Sequence, residues 1–175
     1  MMMCRVAGTI ALALALWGSP VVAAAPEREL NGFGVAQFGM TRAEVLGRLD
    51  GRVLADGEGL RGRQPLDMGG APLDVHYDFG RDDRLHRVRL EHVGNIDFLN
   101  CLGNFQRYLQ ILTVRHGRAH YVLSETDAGL HAWRGIFIFA NGAGAHLNTN
   151  FQGPDRCETG IFFLSPQFDQ QHVRQ

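Results

Sequence analysis

Asp74, His76 and Asp78 alternate along "DVHYDF", so their three side chains fall on one face of an extended strand. Two carboxylates and an imidazole in that pattern are donors of the kind a divalent cation accepts. The run that follows, "RLHRVRLEHV", argues against a metal. If Phe79 faces Arg84 in a hairpin, Asp74 faces Arg89, His76 faces Arg87, Val75 faces Val88 and Leu73 faces Leu90. One face is then apolar and the other is a ladder of opposite charges. Guanidinium groups beside the carboxylates repel a cation, so no metal is expected.

Other chemistries find little support. His116 and His120 are spaced i, i+4, but Gly117 ends the helix between them and no H-E-x-x-H is present. His116 is expected in a last helical turn, where partial positive charge suits the helix dipole. Ser19, Ser124 and Ser165 are the only serines, and none lies in a G-x-S-x-G elbow. Glu125 and Asp127 sit in "SETDAG", which reads as a turn. Gly32 and Gly34 are followed by Gln37 where a dinucleotide loop needs a third glycine, and a P-loop needs a lysine that the chain lacks. No catalytic residue and no cofactor is expected.

Binding is better supported. Asn141-Gly142 marks a hairpin between "LHAWRGIFIFA" and "AHLNTNFQ". With a loop of two or four residues, Ile136, Ile138 and Ala140 share a face with Ala145, Leu147 and Thr149. The opposite face then carries Trp133, Phe137 and Phe139 beside His146, Asn148, Asn150 and Gln152. Aromatic area next to directional amides suits a protein or sugar partner. The competing reading packs those aromatics beneath a helix. Arg87 and Arg89 complete the candidate contact residues.

Composition bounds the setting. The chain has 175 residues, and its 17 basic residues, all arginine, stand against 18 acidic ones, which leaves no electrostatic footprint for nucleic acid. Residues 1–25 have one positive charge at Arg5, the apolar run "IALALALWG" and a small-residue cluster at Val21 to Ala25. Those are the parts of a secretory signal peptide, and the apolar run is too short to span a bilayer as a stable anchor. A periplasmic or secreted location is expected, and there Cys101 and Cys157, the cysteines left after the leader, are expected to pair.

Residues 26–175 are expected to form a single domain. Thr41 and Glu44 form a capping box ahead of a helix from Thr41 to Asp50, with Gly51 as its stop. Gly51 to Gly70 reads as loop with one short strand near Val53 or Leu66. Strands follow at Pro72 to Gly80 and Arg84 to Val93. Phe98, Leu102, Phe105, Leu109 and Leu112 recur at helical spacing, placing a second helix from about Asn95 to Gly117. Strand-like runs begin at Ala119, Leu130, Ala145 and Cys157. The expected class is α+β: an antiparallel sheet packed against two helices, with two helix-then-sheet halves as one arrangement, and with one disulfide.

Phe38-Gly39-Met40-Thr41 with Glu44-Val45 and Leu49 resembles the "fGMt..eV...l" opening of small exported bacterial proteins. Similar openings occur in the β-lactamase inhibitor protein family and in small outer-membrane assembly lipoproteins, although this chain lacks a lipid-attachment cysteine. The resemblance implies a non-enzymatic binding or inhibitory role toward a protein partner in the envelope or outside the cell. It transfers no specific functional residue. An envelope assembly or structural factor is the first alternative, and an envelope hydrolase or metal-dependent enzyme using His76 the second.

Overall fold

A computed structural model describes residues 28–127 and 129–168; the leader expected over residues 1–25 lies outside them. A small hairpin, β1 (Gly32–Phe33) with β2 (Ala36–Gln37), leads into α1 (Arg42–Leu49). The capping box forms: Thr41 N donates to Glu44 Oε2 at 2.7 Å, and Glu44 N donates to Thr41 Oγ1 at 3.3 Å. At the other end the chain turns left-handed at Asp50 and Gly51.

Next come β3 (Val53–Asp56), β4 (Gly59–Gly62), β5 (Asp74–Phe79) and β6 (Leu85–Asn95). The helix α2 (Phe98–His116) is capped by Asp97, whose side chain accepts from Asn100 N at 3.0 Å. It is followed by β7 (Tyr121–Asp127), β8 (Leu130–Ile138), β9 (Gly144–Gln152) and β10 (Arg156–Leu164). No helix among the described residues is long and apolar enough to cross a membrane.

Eight strands form one antiparallel sheet in the order β3-β4-β5-β6-β10-β9-β8-β7. Each group of four consecutive strands is a meander, and the two meanders meet where β6 pairs with β10, from Arg156↔Asn95 to Leu164↔Arg87. Val75, Tyr77, Val88, Leu90, Ile161, Phe163, Leu147, Ala145, Phe137 and Trp133 alternate onto one face. There they join Phe105, Tyr108 and Leu112 of α2 and Val45 and Leu49 of α1 in one buried core.

The expectation of a sheet resting on two helices is corrected in part. α2 lies across β8, β9 and β10, but the principal neighbour of α1 is β2. α1 therefore reaches the core beside the small hairpin. The short strand expected near Val53 is β3, and the rest of Gly51 to Gly70, expected as loop, also holds its partner β4. The segment's Gly, Arg and Asp content hid a period-2 signal that only pairing makes favourable.

The connection from β4 to β5 crosses α2 and is held there by side chains of that helix. Asn104 Oδ1 accepts from Ala71 N at 3.3 Å, Tyr108 OH donates to Ala71 O at 2.5 Å, and Arg107 Nη1 donates to Gly69 O. Burial, partly offset by the Arg107 charge, pushes the Tyr108 hydroxyl up to about 12, so it stays a donor at any ordinary pH. On the sheet side, Cys101 of α2 and Cys157 of β10 form a disulfide with Cα atoms 5.8 Å apart. α2 is thus tied on one side to the sheet and on the other to a strap from the first meander.

Two outcomes test this arrangement. Because 56 residues separate the cysteines, reduction should remove about 4 kcal/mol in the chain-entropy model. Calorimetry should then show Tm lowered by on the order of 10 °C. Tyr108→Phe leaves the Ala71 carbonyl without its donor and should cost about 1–2 kcal/mol in urea titration with an unchanged m-value.

Candidate functional site

The hairpin expected to combine aromatics with amides is built with a different parity. Phe139 N donates to Ala143 O at 3.0 Å, which leaves a three-residue loop, Ala140 to Gly142. Gly142 takes the left-handed conformation (φ 78°) that such a loop requires at its last position. An odd loop shifts the pairing by one residue, so Trp133 faces Thr149 and Phe137 faces Ala145, whereas Ile136 faces His146 and Arg134 faces Asn148.

Trp133, Phe137 and Phe139 are therefore buried on the helix face, as the competing reading has it. Trp133 packs against Phe98 and Phe105, and Phe139 stands edge-on to His116 with ring centroids 5.4 Å apart. His146, Asn148 and Asn150 lie on the opposite face, with Ile136, Arg134 and Ala132 for neighbours. The candidate surface of aromatics beside amides does not exist as one surface. His116 is corrected as well: burial, then the charges of Arg115 and Arg28, push its pKa below the ordinary histidine value. It stands in the last turn of α2 as expected, but half-buried against Phe139 and with its charged form disfavoured.

The β5–β6 hairpin keeps the expected faces but slips by two residues. Asp74 faces Glu91, His76 faces Arg89 and Asp78 faces Arg87, with a bulge between Asp78 and Phe79. Asp78 collects both arginines: Arg87 Nε lies 2.6 Å and Arg89 Nε 2.7 Å from its Oδ2. Arg89 also reaches Glu91 at 2.9 Å, and Asp74 is paired instead with Arg61 of β4 at 2.7 Å. His76 Nδ1 lies 3.4 Å from Asp56. Asp56, His76, Asp78, Arg87 and Arg89 line, together with Glu58, a cleft of about 240 Å³. Arg87 is further covered by the Phe168 ring, 5.1 Å from its guanidinium carbon. Among the described residues no group of three or more His, Cys, Asp or Glu side chains is placed to hold a metal ion.

What emerges is a sheet face that none of the core cluster occupies. One row crosses six strands through directly opposed residues: His76, Arg89, Phe162, His146, Ile136 and Tyr121. The next row runs through Asp74, Glu91, Gly160, Asn148, Arg134 and Leu123. The Phe162 ring lies over Gly160, where a Cβ would sit 2.6 Å from Cε2 of the ring. Glycine at that position lets an aromatic ring lie flat on the sheet. Leu54, Val93, Tyr121, Leu123 and Ile138 are exposed on this same face. Ile136 and Arg134 were missed in the sequence because the expected hairpin parity assigned the even-numbered residues of β8 to the core, and Phe162 of β10 and Tyr121 of β7 because no local pattern pairs those strands.

One further constellation joins residues far apart in sequence. His86 Nδ1 lies 3.2 Å from Ser165 Oγ, and His86 Nε2 lies 3.0 Å from Asp82 Oδ1. The residue types match a nucleophile, a base and an orienting acid. Both His86 and Ser165 are buried, and Ser165 N also donates to His86 O at 2.8 Å. With its hydroxyl closed off from substrate, this chain of bonds ties the β5–β6 turn to the segment after β10.

No protein-family model, no curated protein and no solved structure matches the chain.

The charge network makes a pH prediction. Burial is the strongest single influence on Asp78 and works against its ionisation, but the hydrogen bonds and charges of Arg89 and Arg87 together outweigh it. The carboxyl is thus held below the ordinary aspartate range. Its stabilisation is complete above the unfolded pKa of about 4 and is lost as pH falls through the lower folded value. Asp78→Asn should cost about 1 kcal/mol at neutral pH, allowing for partial exposure, and should flatten the acid limb of the stability curve.

Proposed function

We propose that the protein is a periplasmic or secreted non-enzymatic binding protein that acts by contact, inhibiting or neutralising a protein partner through the face of the sheet opposite α2. The observation that carries this reading is the row Arg89, Phe162, His146, Ile136 and Tyr121, a strip of cation, aromatic, imidazole and aliphatic groups across the uncovered face. Apolar groups exposed together on a soluble domain favour an interaction surface. Asn148, Asn150 and Arg134 beside the strip supply hydrogen-bond direction, and the Asp78–Arg87–Arg89 network gives the strip a charged border. A rigid sheet suits this role, because contact residues held by eight strands lose little freedom on binding.

The leader at residues 1–25 and the likeness of Phe38 to Val45 to openings of exported inhibitor and assembly proteins support the same reading. So does the order of the chain. α1 precedes β3 to β6, α2 precedes β7 to β10, and the last strands of the two sets pair antiparallel. We read these as two helix-then-sheet halves related by an approximate two-fold axis through the β6–β10 pairing, since antiparallel pairing of equivalent strands is what such an axis demands. That arrangement doubles the width of the open face.

Affinity capture from cell-envelope extract tests the proposal. The wild-type chain and Leu99→Ala, altered on an exposed position of α2, should retain the same protein. A Phe162→Ala/Ile136→Ala variant should lose it by tenfold or more, which corresponds to at least about 1.4 kcal/mol. Equal capture by the open-face variant would overturn the assignment of the surface.

A further inference from the structure

The two edges of the sheet are unlike. β3 is four residues long, and its Val53 is buried. β7 is seven residues long and every one of them is exposed, including Tyr121, Val122 and Leu123 in succession at 57%, 54% and 45%. β7 pairs with β8 in unbroken register from Tyr121↔Ile136 to Asp127↔Leu130, and its other side faces no strand among the described residues. Monomeric proteins blunt such an edge with proline, lysine, a bulge or a covering loop. "YVLSETD" contains no proline, carries no charge over Tyr121 to Ser124, and pairs without a bulge. Alternate residues of this strand therefore present unused backbone donors and acceptors in a straight line.

Charge along the edge is polarised. Arg118 stands just before the strand. Glu125 and Asp127 occupy the far end, where Arg134 of β8 approaches Glu125 only to 3.7 Å. We propose that β7 is the edge through which two copies of this chain pair antiparallel, about a two-fold axis normal to the sheet. Such an axis keeps every side chain on its own face. Tyr121, Leu123 and Glu125 of one copy then run beside the same residues of the other in reverse order, and each arginine end meets an acidic end. A parallel approach would set like charges together. The self-complementary sequence is what selects a second copy over a foreign strand.

Pairing along one seven-residue edge is a small contact, so the dimer is reversible and depends on concentration and salt. Sedimentation equilibrium of the full chain tests it. Wild type should shift toward twice the chain mass as concentration rises. Glu125→Arg/Asp127→Arg makes both ends basic, and Arg118→Glu makes both acidic. Each variant, at a melting temperature matching wild type, should dimerise at least about tenfold more weakly. An equimolar mixture of the two should recover the wild-type mass, since each then meets an end of opposite charge. A monomeric wild type, variants that dimerise as well as wild type, or a mixture that stays monomeric would each overturn the proposal. The Phe162→Ala/Ile136→Ala variant should still dimerise, which separates this edge from the open-face reading.

Discussion

The pairing of β6 with β10 is the constraint on which the rest of the molecule depends. Nine directly opposed residue pairs join strands whose partners are about seventy residues apart in the chain, and among the described residues no other strand pairing joins the two meanders into one sheet. Such long-range pairing carries a large loop-closure cost before it returns any stability. The buried side chains of Val88, Leu90, Ile161 and Phe163 on one side of the seam offset that cost. The Cys101–Cys157 bond shortens the closure by fixing the start of β10 to α2.

The seam also sorts the side chains. Because directly opposed residues share a face, the register that sets Arg89 beside Phe162 sends Val88 and Phe163 to the core together. A slip of one residue at this seam would set the core face of one meander beside the open face of the other. The strap from Arg63 to Pro72 makes a second connection between the meanders, on the far side of α2. The long helix is thereby enclosed, and among the described residues no helix lies on the opposite face of the sheet. The asymmetry between a filled face and an open one is a consequence of helices and hairpin all lying on one side.

Local signals were readable where the chemistry is local. The T-x-x-E box starts α1, the apolar spacing of Phe98, Phe105 and Leu112 produces α2, and the alternation of β5 sends Asp74, His76 and Asp78 to one face. The open-face row was not readable. Its members come from six strands, and whether Ile136 or Phe137 joins His146 turns on one residue of loop length at Ala140 to Gly142. Likewise the bonds from His86 to Ser165 and Asp82 link a turn to a segment nearly eighty residues away, which no spacing rule addresses.

By itself, then, the amino-acid sequence determined the α+β class, both helices, most strands and the pairing of two cysteines, because these follow from periodicity, capping and the count of thiols. Tertiary structure alone decided which face Trp133, Phe137 and Phe139 occupy, which acid holds Arg87 and Arg89, and where Phe162 lies. The physical reason is that strand register and loop parity are settled by the packing of many weak contacts at once. A change of one residue in a turn costs little locally yet inverts every side chain beyond it.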